Sequence, residues 1–434
     1  MTSESGETSV RLAANVARMS ARYFYGWNVV GATFLMALFS FGLGFYGISA
    51  YVATLQRLHG WSASMVSAPV TVYYVAGALL TMVAGDLYHT WGPRLVVAAG
   101  GAAMAVGVAA LGVITQPWQL YPVFLVMALG WGSMSGAAIN IIIAPWFHRR
   151  RGLAISIAFN GATLGGVVIA PALILLINAL GFPQALAIAA LSSLASFLAL
   201  AAGVMRGDPG ALGLGPDGDP GLSARADASA SRDDRRGDAI RTWRFWSVSV
   251  PFALGLMAQV GVLTHLVALV TPTLGAGGAA RVVSATTAAA LIGRLLTGVF
   301  IDRAKRRLVS SATLVIQIVG VGLLAWAPAT AAVYAGCALF GLGVGNLTTL
   351  PALILAVEWP RERFSTLVGM VVGINQLTFA FGPSLVGVIR DWSGTYGPAL
   401  GACAGLQAIA ATLVALGPGT RAAGDPALTG ARPR

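Results

Sequence analysis

The chain has 434 residues, of which 57% are hydrophobic and only 10% charged, with 55 glycines. A soluble domain carries about 25% charged residues, so this chain is too poor in polar surface for a long soluble protein. Its apolar runs of roughly 20 residues point to lipid as the solvent instead. The net charge of +12 sits between those runs, where it sets topology rather than marking a nucleic-acid surface, and no nucleic-acid partner is expected.

Residues 1–24 form a polar tail with Arg11, Arg18 and Arg22 and no cleavable-signal pattern. An apolar unit follows over 25–205, with spans expected at roughly 27–50, 65–88, 94–114, 118–145, 152–178 and 183–204. Residues 206–242, rich in Gly, Pro, Asp, Ser and Arg, cannot bury a core and read as a mostly disordered linker. A second unit covers 243–417, with spans expected at roughly 244–271, 282–301, 308–328, 331–357, 365–390 and 396–416. Residues 418–434 form a tail. The expected fold is an all-α membrane protein with twelve transmembrane helices in two six-helix bundles.

The basic residues test that count. With a cytoplasmic N-terminus, the cytoplasmic face receives Arg94, the run from His148 to Arg151, the linker arginines, Arg303, Lys305, Arg306, Arg307, Arg361 and Arg363. The other face receives Arg57, Arg281 and Arg390. This asymmetry predicts that both termini and the linker are cytoplasmic. Cys337 and Cys403 fall inside apolar segments without metal-ligand spacing; no metal, cofactor or catalytic residue is expected, and the chain is not read as an enzyme.

The two units repeat each other. "GDLYHTWGPR" follows the second expected span and "GVFIDRAKRR" the eighth, so that Gly85 matches Gly298 and Arg94 matches Arg307 at one constant offset. "RRRGLA" and "RERFST" open the fifth and eleventh spans, and Pro171 and Pro383 lie about equally far into them. A duplicated six-helix unit is a frequent basis of secondary transporters.

Twelve spans, a central linker and a Gly-x-x-x-Asp-Arg loop after the second span of a half resemble the major facilitator superfamily over nearly the whole chain. In the first half His89 stands where the family usually has Asp, and Asp86 comes three residues earlier. Within the superfamily, "YGWNVVGATF", "RRRGLAISIAFNGATLGG" and "GRLLTG" resemble the monocarboxylate transporter and oxalate–formate exchanger branch. The resemblance implies that Arg294, in "GRLLTG", is the substrate-binding arginine. The first-span lysine of animal monocarboxylate carriers falls near Phe45, and their eighth-span aspartate falls on Ala290. The eleventh span has Asn375 and Gln376 where the oxalate exchanger uses a lysine. A two-charge clamp for a small dicarboxylate is therefore not expected.

The residues themselves single out Arg294. It lies roughly 12 Å from one membrane face and 20 Å from the other at 1.5 Å per residue, where a cation costs about 2.5–3.5 kcal/mol to insert. Its helical neighbours Thr287, Ala290, Thr297 and Gly298 are small or weakly polar. A guanidinium there matches a carboxylate in bidentate fashion; the alternative is a structural arginine bonded to carbonyls. Further candidates for the substrate site are Tyr46, Tyr74, Asn140, Asn160, His265, Asn346, Asn375 and Gln376, each with a helix-packing alternative. His265 is the one histidine inside an expected span and a candidate proton carrier. Asp86, Asp302, Glu358 and Asp391 all fall at span ends, so no buried acid is expected. Asp302 with Arg363, Arg303 in the same loop, and Asp86 with Arg151 are candidate gate contacts; topology alone also explains them.

Together these readings predict a bacterial inner-membrane transporter of a small organic anion, a monocarboxylate, by alternating access. Protons are a candidate co-substrate, lipid the surrounding partner, and the monomer the working unit. The alternatives are an efflux carrier for a larger metabolite or drug and a non-transporting membrane sensor.

Overall fold

The computed structural model describes residues 24–205, 209–212, 214–218, 240–301, 304–326 and 329–418. Among them, nine helices are long and apolar enough to cross a membrane. In chain order we label α1 (Gly26–His59), α2 (Ala63–Leu111), α3 (Pro117–Ile143), α4 (Arg151–Leu180) and α5 (Phe182–Gly203). The second half has α6 (Trp243–Phe300), α7 (Arg306–Trp326), the shorter α8 (Thr330–Val344) and α9 (Leu350–Glu358), α10 (Arg361–Phe379, continued by Gly382–Ser393) and α11 (Gly397–Leu416).

Two of these helices are hairpins. In α2, Gly92 has φ 72° and ψ 163°, inside an otherwise helical run. A Cβ on Gly130 would meet the Gly100 carbonyl at 2.6 Å, and one on Gly132 would meet the Gly77 carbonyl at 2.8 Å. A straight helix would hold Gly77 and Gly100 roughly 35 Å apart, yet both touch one short stretch of α3. The chain therefore reverses at Gly92, where a positive φ suits glycine. Gly275 (φ 65°) does the same in α6: Gln259 Nε2 donates to the Val344 carbonyl at 3.3 Å, while Gly293 packs on the Leu342 carbonyl of the same helix. The expected segments 65–88 and 94–114 are the two arms of α2, and 244–271 and 282–301 those of α6. The segment expected at 331–357 is broken into α8 and α9.

The repeat is visible in hydrogen bonds. Arg94 donates to the carbonyls of Ala201 (3.1 Å) and Ala202 (2.8 Å) at the end of α5. Arg307 donates to the Val414 carbonyl at 3.3 Å, at the end of α11. Val414 follows Ala201 at the offset that separates Arg307 from Arg94. In each half one arginine thus satisfies carbonyls that a helix end leaves unpaired. Only the second half adds an acid: Arg307 Nε donates to Glu358 Oε1 at 2.6 Å, and Nη2 to Oε2 at 2.8 Å. Glu358 is 7% exposed, so the expectation of no buried acid is corrected. It is buried because the arginine neutralises it, with Arg244 3.8 Å away as a further cation.

The two halves are joined at the end opposite the arginine-rich one. Asp391, near the end of α10, accepts from the backbone N–H groups of Ala63 (2.9 Å) and Ser64 (2.7 Å), the first residues of α2. Thr71 and Ser384 hydroxyls lie 2.7 Å apart, and Gly387 lets α10 approach the Ala63 carbonyl. Farther down, the Ser284 hydroxyl of α6 donates to the Val167 carbonyl of α4 at 2.9 Å. Below that contact the same face of α4 carries Asn160, Ile157, Ser156 and Leu153, all exposed, and the facing arm of α6 carries exposed Leu295 and Gly298. The halves separate toward the arginine-rich end.

Part of the expected linker is placed. The Asp217 carboxylate accepts from His148 N–H (3.0 Å) and Arg149 N–H (2.7 Å), and its own N–H donates to the Trp146 carbonyl at 2.9 Å. Of 206–242, residues 206–208, 213 and 219–239 lie outside the described residues.

Two outcomes follow from this packing. Glu358→Gln leaves Arg307 charged and buried, and is expected to cost about 3–5 kcal/mol, read as a large fall in the melting temperature of the purified protein. Asp86→Asn, at an exposed site at the same end of the bundle, is expected to leave that temperature unchanged. Asp391→Ala removes both bonds to the start of α2, and is expected to raise thiol-reagent labelling of a Ser384→Cys background roughly ten-fold. Cys337 and Cys403 are fully buried and give little background.

Candidate substrate site

Arg294 sits on the second arm of α6, where that arm crosses the break between α8 and α9. The crossing is close because glycines face each other: Gly293 packs on the Leu342 carbonyl, and a Cβ on Gly345 would meet the Ala290 carbonyl at 2.9 Å. The same added Cβ would lie 3.0 Å from Arg294 Nε and 3.1 Å from Nη2. Gly345 is thus the floor on which the guanidinium rests, and any side chain there would push it away. Arg294 is half-buried; among the described residues it makes no ion pair, and its buried Nε has no hydrogen-bond partner.

Asn346, next along the chain, donates through Nδ2 to the carbonyls of Gly293 (3.3 Å) and Leu342 (3.1 Å). Its Oδ1 is buried and unpartnered. From the first half, Tyr46 lies against Thr286 and Thr287, two turns before Arg294 on the same arm of α6. Tyr46 is carried by a π-helical turn, Gly42–Tyr46, inside α1. That turn packs against a second one, Gly165–Ile169 in α4: a Cβ on Gly166 would collide with the Tyr46 ring (2.8 Å) and with Thr287 Cγ2 (2.5 Å). π-turns inside helices recur at functional sites.

Rings extend the first-half wall. Phe45 lies edge-on to Tyr46 at 5.1 Å and stacks on Trp131 at 6.0 Å with 15° between planes. Tyr74 reaches Phe45 at 6.1 Å and crosses to Phe379 of α10 at 5.5 Å. Asn375, one turn before Phe379, is 5% exposed with a buried, unpartnered Oδ1, and Gln376 is half-buried beside it. The structure therefore places Asn346 at the helix crossing that carries Arg294, and brings Tyr46 and Tyr74 together around Phe45. Asn160 stands exposed on the α4 face that parts from α6. Asn140 donates to Gly136 of its own helix at 2.9 Å.

His265 lies elsewhere. Its Nε2 is 3.1 Å from the Pro383 carbonyl, and its Nδ1 is 3.3 Å from the Tyr396 hydroxyl. A carbonyl only accepts, so Nε2 carries a proton, and Nδ1 is left to accept from Tyr396 O–H. Both ring nitrogens are satisfied within the second bundle. Among the gate candidates, Asp86 and Arg151 are exposed, and among the described residues no ion pair joins them. Asp302 and Arg303 lie outside the described residues, which leaves Arg363 without the expected partner in view. A cavity of about 430 Å³ opens at the joined end, lined in part by Gln56, Arg57, Asn178 and Thr271; it shares no residue with the Arg294 site.

Gly345 and Trp131 are the residues that sequence reasoning missed. Both lie in glycine-rich runs read as helix packing, "FGLGVGN" and "GWGSMSG". The repeat carried the signal. Gly132 and Gly345 are related by the Arg94–Arg307 offset, as are Thr81 and Arg294. Thr81 bonds across to the Gly132 carbonyl at 3.3 Å, just as Arg294 rests on Gly345.

The model of the Major Facilitator Superfamily matches residues 34–383. "MFS-type transporter 1" of Ophiocordyceps sp. (strain BCC 1869) is 32% identical over 172 residues, 38% of this chain and 37% of the relative. "Monocarboxylate transporter 11" of Homo sapiens is 25% identical over 401 residues, 86% of this chain and 78% of the relative. Among solved structures, the nucleoside transporter NupG superposes with a TM-score of 0.72 at 13% identity, covering 90% of this chain and 98% of NupG; at that identity the likeness is one of fold. With a match over most of its length, the chain belongs to the Major Facilitator Superfamily.

Proposed function

We propose that this chain transports an organic monocarboxylate, whose carboxylate is held by Arg294, as the two bundles rock about that site. The carrying observation is the guanidinium itself: a half-buried cation on a floor cleared by Gly345, with a buried Nε that no described residue engages. Holding a charge there is costly, and an arriving carboxylate supplies the counter-charge and the planar acceptor pair that a guanidinium fits. The resemblance to a monocarboxylate transporter over most of the chain supports this reading. A nucleoside, the cargo named for NupG, is uncharged and would leave the arginine uncompensated.

The arginine-rich end, toward which the halves part, faces the cytoplasm in this reading, with both termini on that side. An anion then meets a basic surface before reaching Arg294. Glu358 is engaged by Arg307 and His265 by Pro383 and Tyr396, so neither carries a proton to the site. Coupling to protons runs through the substrate's own carboxyl.

Arg294→Ala is expected to fold, and to weaken carboxylate binding by about 2–4 kcal/mol, roughly thirty- to a thousand-fold. Arg294→Lys keeps the charge without the planar fork and is expected to bind weakly. Ligand titration of purified variants, with melting temperatures alongside, checks both; parent-like binding by Arg294→Ala ends the reading. His265→Gln is expected to lower thermal stability while leaving the pH profile of uptake unchanged. A lost pH dependence in a well-folded His265→Gln would return that histidine to the mechanism.

A further inference from the structure

We infer that the wall facing Arg294 selects the body of the anion: the site takes a carboxylate carried on an aromatic ring, in preference to a short aliphatic acid or a dicarboxylate. This rests on the carboxylate reading of Arg294 and adds what lies across from it.

Phe45 is the centre of that wall. One ring neighbour, Tyr46, lies against Thr287 of the second half, two turns before Arg294; another, Tyr74, reaches Phe379 of the second half. Phe45 therefore lies between two bridges to the opposite bundle. Trp131 is stacked behind it and 7% exposed, while Phe45 itself is only half-buried. A ring held from behind and from both edges, but not covered, presents π-surface to whatever lies between the halves. Planar ring systems fill such a surface by offset or edge-to-face contact and gain beyond the area they bury.

The repeat shows that the fold does not call for these rings. At the offset linking Arg94 to Arg307, Tyr74 corresponds to Thr287 and Trp131 to Val344. The same bundle geometry is thus built in the second half with small side chains. Phe45, Tyr46, Tyr74 and Trp131 all belong to the half opposite the arginine, and Phe379 is the ring that meets them from the arginine's own half. This division matches a ligand with one charged end and one flat apolar end. A second carboxylate would lie against rings with no cation of their own, and its desolvation would go uncompensated. A two- or three-carbon acid would leave the ring surface unfilled.

The test uses the purified full-length protein and titrates benzoate, phenylacetate, lactate, succinate and neutral benzamide. Benzoate and phenylacetate are expected to bind at least about ten-fold tighter than lactate or succinate. Phe45→Ala is expected to lower benzoate affinity about five- to ten-fold and to leave lactate within about two-fold. Phe45→Leu, which keeps apolar volume, is expected to fold if the alanine variant does not, and to show the same selective loss. Arg294→Ala is expected to weaken benzoate and lactate alike. Equal affinity for lactate and benzoate, or a uniform loss for both in the Phe45 variants, overturns the aromatic assignment and leaves the carboxylate reading standing. Benzamide binding as tightly as benzoate, unchanged by Arg294→Ala, overturns the carboxylate reading and leaves the ring surface as the binding element. A parent protein that binds none of the five overturns both.

Discussion

Inside lipid every backbone donor and acceptor must find a partner within the protein, and this single constraint explains where the polar residues of this chain are. An unbroken helix satisfies itself; a broken one leaves carbonyls that a side chain must reach. The chain breaks or underwinds its helices at Gly42–Tyr46, Ser135, Gly165–Ile169, between Val344 and Leu350, and at Ala380–Phe381. Around each break a polar side chain meets an exposed carbonyl. Tyr73 donates to Gly44 at 2.7 Å, Tyr88 to Ser133 at 2.9 Å, Gln259 to Val344 at 3.3 Å and Asn346 to Leu342 at 3.1 Å. His265 holds Pro383, just past the last of them. Gln259 is itself held by Gln317, and Gln317 by Gln407, each at 2.8 Å. Most of the membrane-embedded polar groups are thus committed to the backbone. Arg294 is the cation left over, and that is what sets it apart.

The duplicated unit makes this contrast internal to the molecule. Thr81 and Arg294 are equivalent by the repeat, and both lie against the broken helix of their own half. Thr81 is used up by the carbonyls of Gly77 (2.8 Å) and Gly132 (3.3 Å). Arg294 is too long to be used up in that way, and the glycine beneath it leaves its guanidinium resting over the break. The two ends of the molecule diverge similarly. Arg94 and Arg307 do one shared job on helix termini, and only Arg307 carries an acid with it. Symmetric positions therefore report the scaffold, and departures from symmetry report what each half has been adapted to do.

Much of the fold was legible because lipid imposes a length and a hydrophobicity that composition reveals directly. The approximate span positions, the repeat of Gly85 and Arg94 in Gly298 and Arg307, and the isolation of Arg294 all stand in the sequence. Glu358 misled because an acid near the end of an apolar run reads as exposed; only the pairing with Arg307 across two helices takes it inside. The amides misled in the same direction. Asn140 and Asn346 look alike in sequence, yet one bonds within its own helix and the other spans a helix crossing. A helix crossing is a property of two segments far apart in the chain, and nothing near Asn346 announces it. The aromatic wall was hidden for a similar reason, since Phe45, Tyr74 and Trp131 come from three helices.

The joint between the halves is made of contacts that water can replace. Asp391 meets backbone N–H groups at the start of α2, where the helix dipole favours a carboxylate, and the remaining contacts there are hydroxyls and glycines in close approach. No buried ion pair joins the halves at that end among the described residues, in contrast to Arg307 and Glu358, which knit four helices within one bundle. Each N–H and carboxylate group at the joint is at a helix terminus that water can serve equally well when the joint opens. The exchange of partners is then nearly balanced, whereas opening the Arg307 cluster would strand a charge. In the proposed transport cycle the bundles move as rigid bodies about such a solvent-exchangeable joint, and an anion held at Arg294 biases it by whatever it binds better in one arrangement than in the other.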